Sequence, residues 1–352
     1  MTPMTCFITG ATGLLGGEVV AQLVSNPGVG TIHALTRAPI VGGSPRVVPV
    51  AGDVRRDGLG IARAMRDRLA REVTTVVHCA ATTSFSQSLD VARATNTEGT
   101  RRMLEVTADW PNVRRWVFVS SAFVAGLRTG VIDEADISTG DWANAYEQSK
   151  AEAEALVRDA RDDWTIARPA TVVCDDATGR VSQINAVHRA LRLYFGGLAA
   201  MLPSAERSVL DVVTTDYAAR GIARLVLARD VERRAFHFCA GRGAMPLGEL
   251  LDATYDAFLR APAWRRKGIA RPVRTDLETY RMFEAAVEDA GSDRVRQAVR
   301  SLGHFVPQLA YPKRFDTTGA DALLGAAAPD VASYWTRMVN TLVAAPAAPE
   351  VA

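Results

Sequence analysis

Short apolar runs alternate with longer mixed stretches through the first half of the chain. The runs fall near residues 5–9, 31–35, 46–51, 74–79, 115–120 and 165–168. They are rich in Val, Ile and Phe, with little polar alternation, and predict strands buried on both faces. The stretches between them read as helices, so the expected architecture is α/β, a doubly wound parallel sheet covered on both sides. Residues 208–240 return to the pattern with Val209–Val213, a helix from Asp216, and Ala235–Phe238. Segments 180–207 and 243–340 are mainly helical in pattern. The expected division is therefore a sheet domain from 1–179 with 208–242, and a smaller, mostly helical C-terminal lobe from 180–207 with 243–343. Ala344–Ala352 is an Ala/Pro stretch that reads as a disordered tail. No internal repeat interrupts this order.

The first apolar run, Cys6-Phe7-Ile8-Thr9, leads into Gly10-Ala11-Thr12-Gly13-Leu14-Leu15-Gly16 and a helical stretch ending near Pro27-Gly28. Strand, glycine turn and helix in this order suit a dinucleotide, as in a Rossmann sheet. Gly10 permits the tight turn, Gly13 lets backbone approach a pyrophosphate, and Gly16 lets the helix pack closely on the strand. The alternative is a glycine-rich turn with no ligand. After the second strand an NAD-binding chain is expected to place an acid about 20 residues beyond the glycines. Here the sequence reads Thr36-Arg37-Ala38. A guanidinium suits a 2′-phosphate, which points to NADPH; the alternative is an ordinary exposed arginine.

Tyr146 and Lys150 stand four residues apart in Asp141–Ala160, a segment without internal Gly or Pro that reads as a helix with Asp141 as its N-cap. Side chains at i and i+4 share a face, so the ammonium is expected beside the phenol. A tyrosine titrates near ~10, and a neighbouring cation lowers that value towards neutrality, where the hydroxyl can exchange a proton with a substrate. Such a pair also occurs as a plain surface contact; the glycine turn upstream is what gives it meaning.

Composition removes several other classes. Lys and Arg number 41 against 39 Asp and Glu, a formal net charge of +2, so nothing marks a nucleic-acid binder. Cys6, Cys79, Cys174 and Cys239 lack CxxC spacing and read as buried apolar residues in a reducing, cytoplasmic compartment. His33, His78, His188, His237 and His304 are too scattered for a metal motif. No apolar run approaches the ~18 residues of a membrane span, and no signal peptide is expected.

TGATGLLG, the Tyr-x-x-x-Lys pair and Ser121 resemble the extended short-chain dehydrogenase/reductases. Ala51-Gly52-Asp53-Val54, Asp57-Gly58-Leu59-Gly60-Ile61, Val76–Ala81, Phe85, Leu89 and Asn96-Thr97-Glu98-Gly99-Thr100 narrow the likeness. With Phe118–Ala122, Tyr146–Glu152, Ala167-Arg168-Pro169-Ala170, Thr178-Gly179 and Arg314-Phe315-Asp316, they are similar to the thioester-reductase branch. That branch includes the "male sterility" fatty acyl-CoA reductases and the reductase domains of carboxylic acid reductases and non-ribosomal peptide synthetases. The resemblance implies that Ser121, Tyr146 and Lys150 are a catalytic triad, with Asn96 supporting the lysine and Ser120 the fallback serine. It implies that Gly10, Thr12, Gly13, Leu14 and Leu15 line the pyrophosphate, that Asp53 and Val54 meet the adenine, and that Cys79, Ala80 and Ala81 lie beside the ribose. Cys174 departs from the glycine common in the branch.

The expected reaction is NADPH-dependent reduction of an acyl or peptidyl thioester, on coenzyme A or a carrier protein, to an aldehyde, with onward reduction to an alcohol left open by the sequence. The same triad serves a ketone or aldehyde reductase or a sugar-nucleotide epimerase or dehydratase; a non-catalytic NADP(H) sensor would need no proton donor. Two segments of the lobe invite roles. Ala190–Leu198 reads as an acyl-channel wall or a core helix. Arg265, Arg266, Lys267, Arg271 and Arg274 near Trp264 read as a phosphate or carrier-protein patch or a solvated face. Oligomeric state is not written in the sequence.

Overall fold

A computed structural model describes residues 3–38, 43–135, 140–205, 207–303 and 305–344. Seven strands form one parallel sheet: β1 (Met4–Thr9), β2 (Val29–Thr36), β3 (Val47–Ala51), β4 (Thr75–His78), β5 (Arg115–Val119), β6 (Trp164–Pro169) and β7 (Arg234–Phe238). Their spatial order is β3-β2-β1-β4-β5-β6-β7. The order reverses between β1 and β4, and an open parallel sheet has its binding crevice at the carboxyl ends of the strands on either side of such a reversal.

Successive residues of each strand feed opposite faces, which is why the strands read as continuous apolar runs. Cys6 and Ile8 of β1, with Val117 and Val119 of β5, join one core. Phe7, Trp116 and Phe118 join the other. Helices α1 (Leu14–Val24), α2 (Arg63–Glu72), α3 (Leu89–Thr95), α4 (Thr97–Thr107), α5 (Ala145–Ala160), α6 (Ala186–Phe195) and α7 (Thr215–Leu227) follow in chain order. Val19 and Leu23 of α1 and Ile222 of α7 cover the first face. Met103 of α4 and Val157 of α5 cover the second. The sheet is doubly wound, as the apolar pattern predicts.

Beyond β7 the chain is mostly helical: α8 (Leu247–Leu259), α9 (Pro262–Arg265), α10 (Leu277–Ala290), α11 (Asp293–Gly303), α12 (Val306–Ala310), α13 (Thr318–Leu324) and α14 (Val331–Ala344). Ala344 therefore closes a helix, and the remainder of the expected tail, 345–352, lies outside the described residues, as does His304. A short strand, Lys313–Phe315, pairs in parallel with Gly130–Ile132 as a separate two-stranded sheet, which ties this C-terminal part to the first half of the chain.

One expectation changes, and two open alternatives are decided. The helix bearing Tyr146 begins at Ala145, and its N-cap is Asn144, not Asp141. Asn144 has extended backbone, and its side-chain oxygen accepts from the Glu147 N–H at 3.0 Å. The segment Ala190–Leu198 packs as core: Leu191 and Tyr194 are buried, and the Phe195 ring lies against Phe258 and Trp264. Around Trp264, itself buried, Arg271 is paired with Asp252 at 3.2 Å and stacked over Tyr255. This is the solvated-face reading of that basic cluster.

Candidate active site

The glycine turn closes by a hydrogen bond from the Gly13 N–H to the Gly10 carbonyl, 3.0 Å. Gly10 has φ +76°, and a Cβ there would sit 2.7 Å from the Ala80 nitrogen, so the turn lies directly on the end of β4. A Cβ on Gly16 would come 2.1 Å from the Gly10 carbonyl oxygen, which is the close packing of helix on turn that a glycine alone allows. Gly13 caps α1 without any side-chain hydrogen bond, which leaves the first N–H groups of that helix for another acceptor.

These groups open into a groove of about 460 Å³ at the strand-order reversal. Gly10, Thr12, Gly13, Arg37, Asp53, Val54, Cys79, Ala80 and Ala81 line it. Leu14 and Leu15 begin α1 at its end, half-buried, and do not line it with their side chains; Gly16 is buried behind it. The sequence reading missed Thr9, Thr36, Gly52, Arg55, Thr82, Gln87, Val91 and Thr95, which complete the walls. Thr9 has a structural task. Its hydroxyl accepts from the Ala80 N–H at 3.1 Å and is hydrogen-bonded to His78 Nδ1 at 2.7 Å. His78 Nε2 then faces the Thr100 hydroxyl at 3.0 Å, and that hydroxyl donates to the Asn96 carbonyl. Burial, aided by Lys150, takes His78 down to about 3, so it is a neutral strut at physiological pH.

At the far end of the groove Asp53 is gripped by Arg55, with Nη2 to Oδ2 at 2.8 Å and Nε to Oδ1 at 3.2 Å. That hydrogen bonding, with a smaller contribution from the charge of Arg37, holds the carboxyl down at about 2. Arg37 itself is exposed. Two guanidiniums thus face one carboxylate, a locally positive end. An uncapped helix start at one end, two cations at the other and a glycine-lined floor between them fit a nicotinamide dinucleotide.

Ser121, Tyr146 and Lys150 are all buried, and none of them lines this groove. Ser121 precedes a short 3₁₀ turn, Ala122–Ala125, and caps it by accepting from the Phe123 N–H at 3.2 Å. It also lies near enough to Tyr146 to pull the phenol down, but burial outweighs this and holds Tyr146 up at about 12. Cys79, on the groove wall, lies close enough to both Tyr146 and Lys150 to influence each, which sets the pair next to that wall. Ser120 points elsewhere, towards the buried Glu154.

Lys150 departs from the expected arrangement. Its ammonium donates to the Val119 carbonyl at 2.8 Å and lies 4.0 Å from the centre of the Phe118 ring. It is turned to the end of β5 and does not lower Tyr146. Burial brings the lysine itself down to about 8. Asn96 also differs from expectation. It accepts from the Thr82 N–H at 2.9 Å and donates to the Thr82 carbonyl at 3.1 Å and the Ser149 hydroxyl at 2.9 Å, so it ties the 82 loop to α5 without a hydrogen bond to Lys150.

Beside Tyr146, the fully buried Glu147 accepts from the Ala143 N–H at 2.9 Å, from Asn144 Nδ2 at 3.0 Å and from Gln308 Nε2 at 2.6 Å. Lys313, which donates to the Gly126 carbonyl, attracts it as well. Burial nonetheless lifts Glu147 from 4.5 to about 7. A raised acid contributes stability that is complete below pH 4.5 and lost as pH rises through 7. Glu147→Gln should therefore remove a decline of about 3 kcal/mol between those limits, the shift multiplied by ~1.36 kcal/mol per unit. Urea unfolding of both proteins across that range checks it, and parallel pH profiles would refute it.

Among the described residues no cluster of three or more His, Cys, Asp and Glu is arranged to hold a metal ion, and no helix is long and apolar enough to cross a membrane. A family model described as "Male sterility protein", an NAD-binding domain, matches residues 42–222, just over half of the 352. The chain belongs to this family. The family model's NAD-binding character agrees with the groove at the strand-order reversal. It is 28% identical over 276 residues to the polyketide synthase-nonribosomal peptide synthetase ACE1 of Pyricularia oryzae, covering 71% of this chain and 7% of that protein. It is 34% identical over 151 residues to the putative fatty acyl-CoA reductase CG8306 of Drosophila melanogaster, covering 36% and 29%. The chain thus spans a small part of the length of these relatives. In fold it is similar to the terminal R domain of the myxalamid PKS-NRPS pathway, with TM-score 0.77, 24% identity, and 97% and 91% of the two chains covered.

Proposed function

We propose that this family member reduces an acyl or peptidyl thioester, carried by coenzyme A or by a carrier protein, to an aldehyde and a free thiol at the expense of NADPH. The observation that carries the reading is Tyr146: a phenol kept protonated by burial, with Ser121 near it, adjoining Cys79 on the wall of a dinucleotide groove. Membership of the family and the likeness to reductase-bearing synthetases and a fatty acyl-CoA reductase support the thioester as substrate. When bound, the nicotinamide supplies the hydride.

The chain's own residues do the rest. Ser121 and Tyr146 direct their hydroxyls at the carbonyl oxygen and stabilise the negative charge that builds there. Tyr146 gives up its proton to that oxygen, and a group at about 12 does so only as the oxygen becomes strongly basic. Lys150 holds the end of β5, which leads directly into Ser121, through its hydrogen bond to the Val119 carbonyl, and so positions that serine. The thiohemiacetal then breaks its C–S bond, releasing the thiol and the aldehyde. One hydride and one proton enter, so the carbonyl carbon is reduced by two electrons and the balance closes.

The preference for NADPH rests on Arg37, an exposed guanidinium on the groove wall, and on Arg55, which neutralises Asp53. With Asp53 so paired, the carboxylate no longer repels a 2′-phosphate. NADPH should bind at least about tenfold tighter than NADH, the scale of one charge-assisted phosphate contact. Arg37→Ala should erase most of that difference in a fluorescence titration. Equal affinities in the wild-type protein would refute the assignment.

The reading as a whole is tested by NADPH consumption against matched acyl thioesters, aldehydes and ketones. Thioester-dependent oxidation with release of one thiol per NADPH is expected. Turnover of ketones alone would replace it with a carbonyl reductase.

A further inference from the structure

We infer that a cavity lined by Arg189, Arg296 and Arg300 binds the phosphate of the phosphopantetheine arm that carries the thioester. The inference rests on the thioester reading above and names a subsite for it. The cavity measures about 520 Å³ and is walled by Ser86, Gln297 and Ser301 together with the three arginines and Asp293.

Its position follows from one stretch of chain. Thr82 and Gln87 line the dinucleotide groove, while Ser86 lines the arginine cavity. Between them the Phe85 ring stacks on the Tyr146 ring, with centroids 5.6 Å apart, and meets Phe123 edge-on at 5.7 Å. The same short segment therefore borders the nucleotide, the proposed proton donor and the arginines. A carbonyl held at Tyr146 has an apolar surface, Phe85 and Phe123, against which a chain can leave, and the next residue along opens into the cations.

The chemistry of the walls is that of an anion site. Arg296 is held by Asp293 at 2.5 Å, and Arg300 by Glu288, which is not part of the wall. Each guanidinium carries five N–H donors in a planar fork, so these contacts orient the two groups and leave donors over. Arg189, exposed on α6, has no side-chain hydrogen bond or ion pair among the described residues. Two hydroxyls and an amide add neutral donors. Three guanidiniums against two carboxylates leave one positive charge over, which favours a phosphate ester, and the planar fork suits its oxygens. The five cations near Trp264 line neither cavity.

The test compares one acyl group on pantetheine, on 4′-phosphopantetheine, on coenzyme A and on a carrier protein, with wild type, Arg189→Ala, Arg189→Lys and Arg189→Ala/Arg300→Ala. The preference in kcat/KM for acyl-phosphopantetheine over acyl-pantetheine should fall about tenfold or more in Arg189→Ala, through KM. It should fall further in the double variant and partly recover in Arg189→Lys. Coenzyme A and the carrier should lose the same factor, since both present that phosphate. Titration calorimetry with 4′-phosphopantetheine alone should show the same loss of affinity. An equal effect on acyl-pantetheine, or no effect on any thioester, would overturn the site. So would a loss confined to coenzyme A, which would assign the arginines to its nucleotide. Failure of the wild-type protein to turn over any of the four thioesters would overturn the reductase reading, and the site with it.

Discussion

Tyr146→Phe is expected to lower turnover by about two to four orders of magnitude, the usual contribution of a positioned general acid. The substitution removes one oxygen from a buried ring stacked on Phe85 and leaves the ring contacts in place. Nucleotide affinity should change little, because the glycine turn, Arg37 and Asp53 do not depend on the phenol. A fall in kcat with an unchanged NADPH titration is therefore the expected signature. A variant that retained near-normal turnover would show that the proton comes from elsewhere.

The largest effect on stability is expected at Arg168. Its Nε and Nη2 hold the two oxygens of Glu154 at 2.9 and 2.7 Å, and both side chains are buried, at 1% and 2% exposure. Burial alone would raise the Glu154 carboxyl; the guanidinium reverses this and leaves it below its ordinary value. Arg168→Leu leaves a buried carboxylate on α5, one turn beyond Lys150, with only the more distant Arg158 at 3.8 Å, and should cost about 3–5 kcal/mol. Arg168→Leu/Glu154→Leu should recover much of that loss, because two apolar side chains need no partner. Denaturant unfolding of the two variants measures both. A double variant no more stable than the single one would mean that the pair is not what the single substitution breaks.

The sheet was legible because burial on both faces leaves a signal that does not depend on distant partners. Phe7 and Ile8 face opposite cores, yet both must be apolar. The glycine turn was legible for a similar reason: the requirement at Gly10 and Gly16 comes from backbone in immediate contact. Side-chain direction was harder. Four-residue spacing put Lys150 and Tyr146 on one face, but the ammonium finds the Val119 carbonyl, an acceptor 31 residues away in sequence. Asp141 and Asn144 are both good caps by type, and the three donors around Glu147 accompany a helix that starts at Ala145. Arg55 was visible two residues beyond Asp53, and only the turn between them shows that it closes on the carboxylate. The arginine cavity joins residues 86, 189 and 293–301, a juxtaposition that no local pattern encodes.

The most direct test of the central claim follows the hydride. The protein is incubated with an acyl thioester and NADPH carrying deuterium at C4, on each face in turn, and the aldehyde is trapped and weighed by mass spectrometry. One face should deliver a single deuterium to the former carbonyl carbon, with one thiol released per NADPH oxidised, and Tyr146→Phe should slow both together. Thiol release without deuterium in the product, or NADPH oxidation without thiol release, would contradict the account.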